Sequence, residues 1–175
     1  MNIHMVWLGS EPNQKIIEHT QKLNPECVVK VWTSAKDLLP KEWEYTYYNY
    51  ANAYQLKSDL LRLCALRKYG GLYIDFDCVM KISAKEIVKD WDTLVIPAMC
   101  KSSILPGNIL YCPIDWPYWN YVDDYVLNYK NSQTNILTFD HFLYVSLPSF
   151  TYTINNDCIK FPSEIKYITD RSEEH

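Results

Sequence analysis

Residues 57–77 read KSDLLRLCALRKYGGLYIDFD, and they are the most informative stretch of this chain. The first part has the apolar spacing of an amphipathic helix, which we predict over residues 52–69. The pair Gly70-Gly71 then supplies the left-handed backbone that ends a helix. A short apolar strand follows, predicted over residues 72–76.

Two carboxylates, Asp75 and Asp77, stand one residue apart at the end of this strand. Side chains alternate along an extended chain, so both acids are expected on one side, where they can bind one object such as a divalent cation. The strand is apolar on both faces, as in α/β proteins, which bind ligands at the carboxyl ends of their strands. The alternative is that the acids are merely solvated, because Asp-x-Asp is a common sequence.

A second pair lies on the preceding helix, where Asp59 and Arg62 are three residues apart and therefore neighbours on one face. One interpretation is a surface ion pair that contributes a few tenths of a kcal/mol, roughly. The other is a pair of hydrogen-bonding groups directed at a polar ligand, since Arg62 offers a fork of donors. The spacing fits both interpretations equally.

The order Ser-Asp-x-x-Arg and then Gly-Gly-x-Tyr-x-Asp-x-Asp resembles the core signature of the DXD-containing sugar transferases. This family includes yeast initiating mannosyltransferases and the glucosylating domains of large clostridial toxins. The ordered pair of motifs is much rarer than Asp-x-Asp alone. Further segments resemble the family in the same order: residues 2–9, with a His-x-x-Trp-x-Gly pattern, 24–25, 31–33 and, loosely, 106–113.

The resemblance implies one GT-A domain over residues 1–175, a Rossmann-like α/β fold with a mainly parallel central sheet flanked by helices. It also implies a metal-dependent enzyme that transfers a hexose from a nucleoside-diphosphate sugar, most readily a UDP-sugar, to a glycan or protein acceptor, with retention of configuration. Oxygen ligands favour Mn²⁺ or Mg²⁺ as the metal.

The resemblance also implies a role for each matching residue. Asp59 and Arg62 contact the donor sugar, Asp75 serves the ribose or sugar and a metal-bound water, and Asp77 ligates the metal and the diphosphate. The remaining donor-binding residues are Trp7, near the nucleotide base, Leu8 and Phe76.

The histidines are weighed separately, because a lone histidine is usually structural. His4 matches the first strand of the family and is expected to pack inside, whereas His141 is left open. Relatives often complete the metal site near the carboxyl end, so His175 is a further possible ligand.

Length and composition agree with this assignment. A chain of 175 residues is normally one domain and buries roughly 70% of its unfolded surface. The net charge of −4, with scattered Lys and Arg, gives no basic stripe, so no nucleic-acid partner is expected. The 21 Trp and Tyr residues are expected mainly in the core, with some forming a sugar platform.

The 6 cysteines show no Cys-x-x-Cys or zinc spacing, which predicts free thiols in a reducing compartment. No apolar run approaches the length of a membrane span, and no leader is evident. The expected location is therefore the cytoplasm, or the host cytoplasm for a viral protein.

Alternating strands and helices predict a mainly parallel sheet. The predicted strands are 2–8, 27–33, 72–76, 79–82 and 93–98, and the predicted helices are 13–23, 35–39, 52–69, 84–90 and a last one within 116–129. The aromatic run 43–50 is predicted to be a mobile or acceptor-facing loop, and Asp123-Asp124 to be solvated.

Two other functions stay open. Residues 75–79 also fit the Asp-x-Asp-x-Val form of the nucleophile motif in haloacid-dehalogenase-type phosphatases, with Asp75 as nucleophile and Asp77 as acid and base. That motif normally ends the first strand of its domain, whereas here two strands and a long helix precede it. A noncatalytic sugar-nucleotide-binding module is the other alternative, since fold alone does not secure activity.

Overall fold

The computed structural model describes residues 1–49, 54–89, 91–92, 109–117 and 119–128. Its strands are β1 (Asn2–Val6), β2 (Val28–Trp32), β3 (Gly71–Ile74) and β4 (Ile109–Cys112). Its α-helices are α1 (Gln14–Leu23), α2 (Glu44–Asn49), α3 (Tyr54–Tyr69), α4 (Ala84–Val88) and α5 (Trp119–Asn128), and a 3-10 helix spans Lys41–Trp43.

The four strands form one sheet in the order β2-β1-β3-β4. Strand β1 pairs in parallel with β2 and with β3, and β4 pairs antiparallel with β3. The prediction of an α/β fold with a mainly parallel sheet is therefore confirmed. The carboxyl ends of β1, β2 and β3 lie at one edge of this sheet, as they must in parallel pairs.

The sheet separates two buried cores, and the alternation of side chains along the strands assigns residues to each. Val6 and Tyr73 belong to the core beneath α3, whereas Ile3 and Met5 belong to the core that includes Ile17 of α1. All of Leu72–Ile74 is buried, so the predicted cover on both faces of this strand is confirmed.

Two predicted local structures are wrong, and a third is not tested. Residues 35–39 form a single turn, in which the Ala35 carbonyl accepts from the amides of Leu38 and Leu39. Residues 79–82 form no strand, because the chain turns after β3 and then enters α4, whose first turn is capped by Ser83. The predicted strand 93–98 lies outside the described residues.

The predicted loop 43–50 is helical as far as it is described, in the 3-10 helix and α2. Trp43, Thr46 and Tyr47 are buried, and their spacing of three and four residues is that of a helix. The surrounding run of exposed aromatic residues, including Tyr45 and Tyr48, hides this period in the sequence.

The prediction that Asp123 on α5 is solvated is wrong. Its carboxylate accepts from Trp43 Nε1 at 2.9 Å and from Arg67 Nη2 at 2.9 Å. Burial raises the pKa of Asp123, and the charge of Arg67 opposes this effect. The acid therefore joins α5 to α3 and to the 3-10 helix. On the same helix, Val122 and Val126 are buried, as predicted.

The predicted glycine stop is confirmed at Gly70 and Gly71, which have φ values of 57° and 106°. The Gly70 amide donates to the Leu66 carbonyl at 2.8 Å, which closes the end of α3. A Cβ atom at Gly71 would lie 2.3 Å from the Asn2 carbonyl oxygen. Only glycine allows β3 to begin directly against the start of β1.

His4 on β1 is completely buried, as predicted. Its ring connects β1 with Gly70 at the end of α3 and with Trp32 on β2. Its Nε2 lies 2.9 Å from the Gly70 carbonyl oxygen, and its Nδ1 lies 3.2 Å from Trp32 Nε1. A carbonyl only accepts and an indole N–H only donates, so the proton belongs on Nε2. Burial lowers the pKa of His4 to about 4, the bond to Gly70 opposes this, and the charge of Lys30 adds to it.

The buried His4 predicts a loss of stability in mild acid. Its folded pKa of about 4 lies below the ordinary 6.5, so the stabilisation is complete above pH 6.5 and is lost as the pH falls towards 4. Protonation of this histidine in the unfolded chain, which the folded protein resists, should remove about 2 kcal/mol of unfolding free energy between pH 7 and pH 5. Urea denaturation at pH 7 and at pH 5 measures this difference in unfolding free energy. His4→Gln keeps a donor and an acceptor but does not titrate; an equal acid sensitivity in this variant would contradict the prediction.

Four of the cysteines lie in the described part of the chain. Cys27, Cys64, Cys78 and Cys112 are free thiols, and Cys64 and Cys112 are buried. Within the described ranges, no helix is both long and apolar enough to cross a membrane.

Candidate functional site

The predicted donor-site residues follow the carboxyl ends of two neighbouring parallel strands. Trp7 comes directly after β1, and Asp75, Phe76 and Asp77 come directly after β3. Because β1 and β3 are parallel and paired, these residues meet at one edge of the sheet. Ligands of open α/β sheets bind at this edge.

The acid pair lies in a turn rather than in an extended strand. Strand β3 ends at Ile74, two residues earlier than predicted, and the Cys78 amide donates to the Asp75 carbonyl at 3.0 Å. The alternation expected of residues 72–76 therefore stops before the acids. Asp77 is exposed, and the Asp75 side chain is 29% exposed. The turn presents one acid to solvent and keeps the other partly inside.

Arg62 connects the helix pair with the acid turn. It is only 7% exposed, and its guanidinium forms an ion pair with Asp59 and lies 3.7 Å from Asp75 Oδ1. The interpretation as an exposed surface ion pair is therefore wrong. The structure brings together three of the predicted residues, which the sequence separates by 16 positions from Asp59 to Asp75. Two acids hold one nearly buried guanidinium in a fixed place.

Tyr73 belongs to the same cluster, and the sequence prediction did not include it among the site residues. Its hydroxyl donates to Asp75 Oδ1 at 2.5 Å, and the Arg62 Cζ atom lies 4.8 Å from the centre of its ring. Burial raises the pKa of Tyr73 well above its ordinary value, so it stays a phenol and a donor. Ser58 makes a further hydrogen bond to Tyr73. The signal in the sequence was that Tyr73 stands only two residues before Asp75.

The pKa of the Asp75 carboxyl group is subject to opposing effects of its surroundings. Burial is the largest and raises the pKa of this carboxyl, and the neighbouring charge of Asp77 acts in the same direction. The charge of Arg62 and the hydrogen bond from Tyr73 lower it. The pKa of Asp75 is raised on balance, and Arg62 and Tyr73 limit this rise by favouring the charged form.

The aromatic residues predicted for the donor site also meet. The ring centres of Trp7 and Phe76 lie 5.1 Å apart, with a tilt of 40° between the rings. Trp7 Nε1 donates to the Ser10 carbonyl at 2.7 Å, which holds the indole ring. Leu8 packs instead against the core beneath α3. Trp7 and Phe76 thus form an apolar wall beside the acid turn.

The residues of the turn fit a hard divalent cation held by few protein ligands. Asp77 offers an exposed carboxylate, and Asp75 offers a second one whose Oδ1 is bonded to Tyr73. In the described part of the chain, no three His, Cys, Asp or Glu side chains form a metal-binding group. The two carboxylates of the turn fit Mg²⁺-like sites, in which one or two carboxylates act together with water and substrate phosphates. The possible ligand His175 lies outside the described residues, as does His141.

An α/β sheet with an acid pair at its carboxyl edge, and an arginine beside that pair, is the arrangement that the resemblance to the DXD-containing sugar transferases implied. The chain belongs to the family described as glycosyltransferase sugar-binding region containing DXD motif, whose family model matches residues 5–94. The protein is therefore an enzyme of the glycosyltransferase class.

The fold is also found in a solved glycosyltransferase. The structure described as PaToxG glycosyltransferase matches with a TM-score of 0.58 and 22% sequence identity, over 85% of this chain and 69% of that chain. No curated protein matches the sequence. The structural match supports the fold, and the family match supports the class of reaction.

Proposed function

We propose that this glycosyltransferase moves a hexose from a UDP-hexose to a glycan or protein acceptor, with Mn²⁺ or Mg²⁺ and with retention of anomeric configuration. The observation that carries the proposal is the cluster of Asp59, Arg62 and Asp75 next to the exposed Asp77, at the edge where β1 and β3 end. Such a cluster offers sugar-binding donors and acceptors beside a place for a diphosphate.

In this proposal Asp59 and Arg62 bind the hydroxyl groups of the donor sugar. The ion pair between them, the nearby Asp75 and the Tyr73 ring hold the guanidinium before any ligand arrives. A group fixed in advance loses little freedom on binding, so more of its interaction stabilises the transition state. Trp7 and Phe76 lie beside the turn and are proposed to cover the nucleotide base.

Asp77 is proposed to bind the cation and the diphosphate directly, and Asp75 to bind the ribose or sugar and a metal-bound water. When bound, the cation stabilises the negative charge that develops on the leaving diphosphate. The bond from the anomeric carbon to the diphosphate oxygen breaks, and a bond to the acceptor oxygen forms on the same face. The diphosphate oxygen takes the proton of the acceptor hydroxyl group, so no side-chain nucleophile is needed.

The acceptor side is proposed to include α2. Tyr45 and Tyr48 on this helix are 58% and 65% exposed, so their rings are available to a partner. The buried Trp43, Thr46 and Tyr47 fix the opposite face of the helix. The predicted acceptor-facing role of residues 43–50 is thus assigned to the exposed tyrosines of a helix rather than to a mobile loop.

The proposed location is a reducing compartment such as the cytoplasm. Burial raises the pKa of the Cys64 and Cys112 thiols, which makes thiolate formation and oxidation unfavourable. The free state of all 4 described cysteines agrees with such a compartment.

The products of the donor test the proposed function. With Mn²⁺ and no acceptor, one preferred UDP-hexose among a panel should be hydrolysed slowly to UDP and hexose, because water replaces the acceptor. Chromatography of the nucleotide and the sugar measures this reaction. Simple phosphate monoesters should release no inorganic phosphate.

Two outcomes would contradict the proposal in different ways. A trappable aspartyl-phosphate at Asp75 would support the phosphatase, since such an enzyme attacks phosphorus. Metal-dependent binding of the donor without any release of sugar, even to water, would support the noncatalytic binding module.

A further inference from the structure

The turn that carries Asp77 is held between two anchors. At one side β3 ends at Ile74 within the sheet. At the other side Met80 is 4% exposed and packs in the core that includes Ile17 of α1. Between these anchors Phe76 is buried, whereas Asp77 and Val79 are exposed. Phe76 fixes the chain before Asp77, and Met80 fixes the chain after it.

Two polar side chains from α1 and its C-cap hold Met80. His19 Nε2 donates to the Met80 carbonyl oxygen at 2.7 Å, a contact that joins residues 61 positions apart. Asn24 Nδ2 lies 3.7 Å from Met80 Sδ and 2.8 Å from the Thr20 carbonyl oxygen. Both contacts act from the side of the sheet opposite α3.

Asn24 also fixes the chain beyond Met80. It is 1% exposed, and its Oδ1 accepts from the Ala84 amide at 2.6 Å, at the start of α4. The segment after the acid turn is thus tied to α1 at two successive points. Neither His19 nor Asn24 lies at the edge of the sheet where the donor-site residues meet.

We propose that His19, supported by Asn24, is a positioning residue that fixes Met80 and thereby the turn that presents Asp77 to the metal and diphosphate. The inference rests on the proposed role of Asp77. A turn of fixed length between two fixed ends has few conformations, so little conformational entropy is lost when a cation binds. Residues that orient a metal ligand without contacting the metal typically change metal affinity by about 10-fold to 100-fold.

The experiment measures Mn²⁺ binding in the presence of UDP, by electron paramagnetic resonance of free Mn²⁺, for the wild type and three variants. His19→Ala should bind Mn²⁺ about tenfold more weakly. His19→Gln, whose side-chain amide can donate to the same carbonyl, should recover most of the affinity. Glu18→Ala is the matched control, since Glu18 is the exposed neighbour of His19 on α1. It should bind Mn²⁺ as the wild type does.

A second readout needs no ligand at all. Amide hydrogen exchange of the segment 75–80 should be faster in His19→Ala than in the wild type, while the strands β1 and β2 exchange at unchanged rates. His19 is exposed, so its loss should leave the protein folded.

The outcomes separate this inference from the proposed function. Wild-type Mn²⁺ affinity in His19→Ala, with unchanged exchange of the segment, would overturn the positioning role and leave the transferase proposal intact. Equal weakening by His19→Ala and His19→Gln would also overturn it, because the hydrogen bond would then not be the cause. Absence of Mn²⁺ binding by the wild type with UDP would overturn the proposed function itself.

Discussion

Replacement of Asp77 by alanine should abolish both sugar transfer and the metal-dependent binding of the donor. Asp77 is exposed in the turn after β3, and no hydrogen bond of the sheet depends on its side chain. The variant should therefore fold normally. Alanine has no oxygen with which to replace a carboxylate that ligates a hard cation. The loss should therefore exceed the roughly hundredfold expected for a residue that only orients a ligand.

The measurement is Mn²⁺-dependent release of UDP, together with donor binding by calorimetry. Asp77→Asn keeps one oxygen ligand and should retain weak binding. Asp37→Ala removes another exposed carboxylate, which lies after β2, and should leave both quantities unchanged. Turnover near that of the wild type in folded Asp77→Ala would contradict the proposed role of Asp77 in binding the cation and the diphosphate.

Replacement of Arg62 by methionine should reduce both activity and stability. Activity should fall by about tenfold or more, which corresponds to roughly 1.4 kcal/mol of lost transition-state stabilisation. The variant should also lose about 3 kcal/mol of unfolding free energy, because Asp59 and Asp75 remain partly buried without their cation. UDP alone should still bind, since Arg62 is proposed to contact the sugar.

A pH profile gives a second measure of the same change. Arg62 lowers the pKa of Asp75. Without it this pKa should rise, so the acid limb of the residual activity should move to higher pH. A profile unchanged in its acid limb would show that Asp75 does not titrate in catalysis.

Arg67→Met is the matched control, because Arg67 lies on the same helix and pairs with Asp123 and Glu42 away from the acid turn. It should lower stability without changing the kcat/KM for donor hydrolysis. Equal losses of UDP and UDP-hexose affinity in Arg62→Met would show that Arg62 supports the fold or the nucleotide rather than the sugar.

Local sequence patterns correctly predicted much of the fold. The glycine pair at the end of α3 and the apolar strand after it are confirmed, because backbone conformation and side-chain alternation are local properties. The same reasoning failed at 43–50, where exposed tyrosines hide the helical spacing of the buried residues. It also failed at Asp123, whose partners Trp43 and Arg67 lie on other elements.

The amino-acid sequence shows that an acid pair follows an apolar strand, that a glycine turn precedes this strand, and that an arginine lies on the helix before both. The folded chain was needed to show that Arg62 reaches Asp75, that Tyr73 donates to the same acid, and that His19 holds Met80. Helix and strand periods describe neighbours along the chain, whereas these contacts depend on how α1 and α3 pack on opposite faces of one sheet.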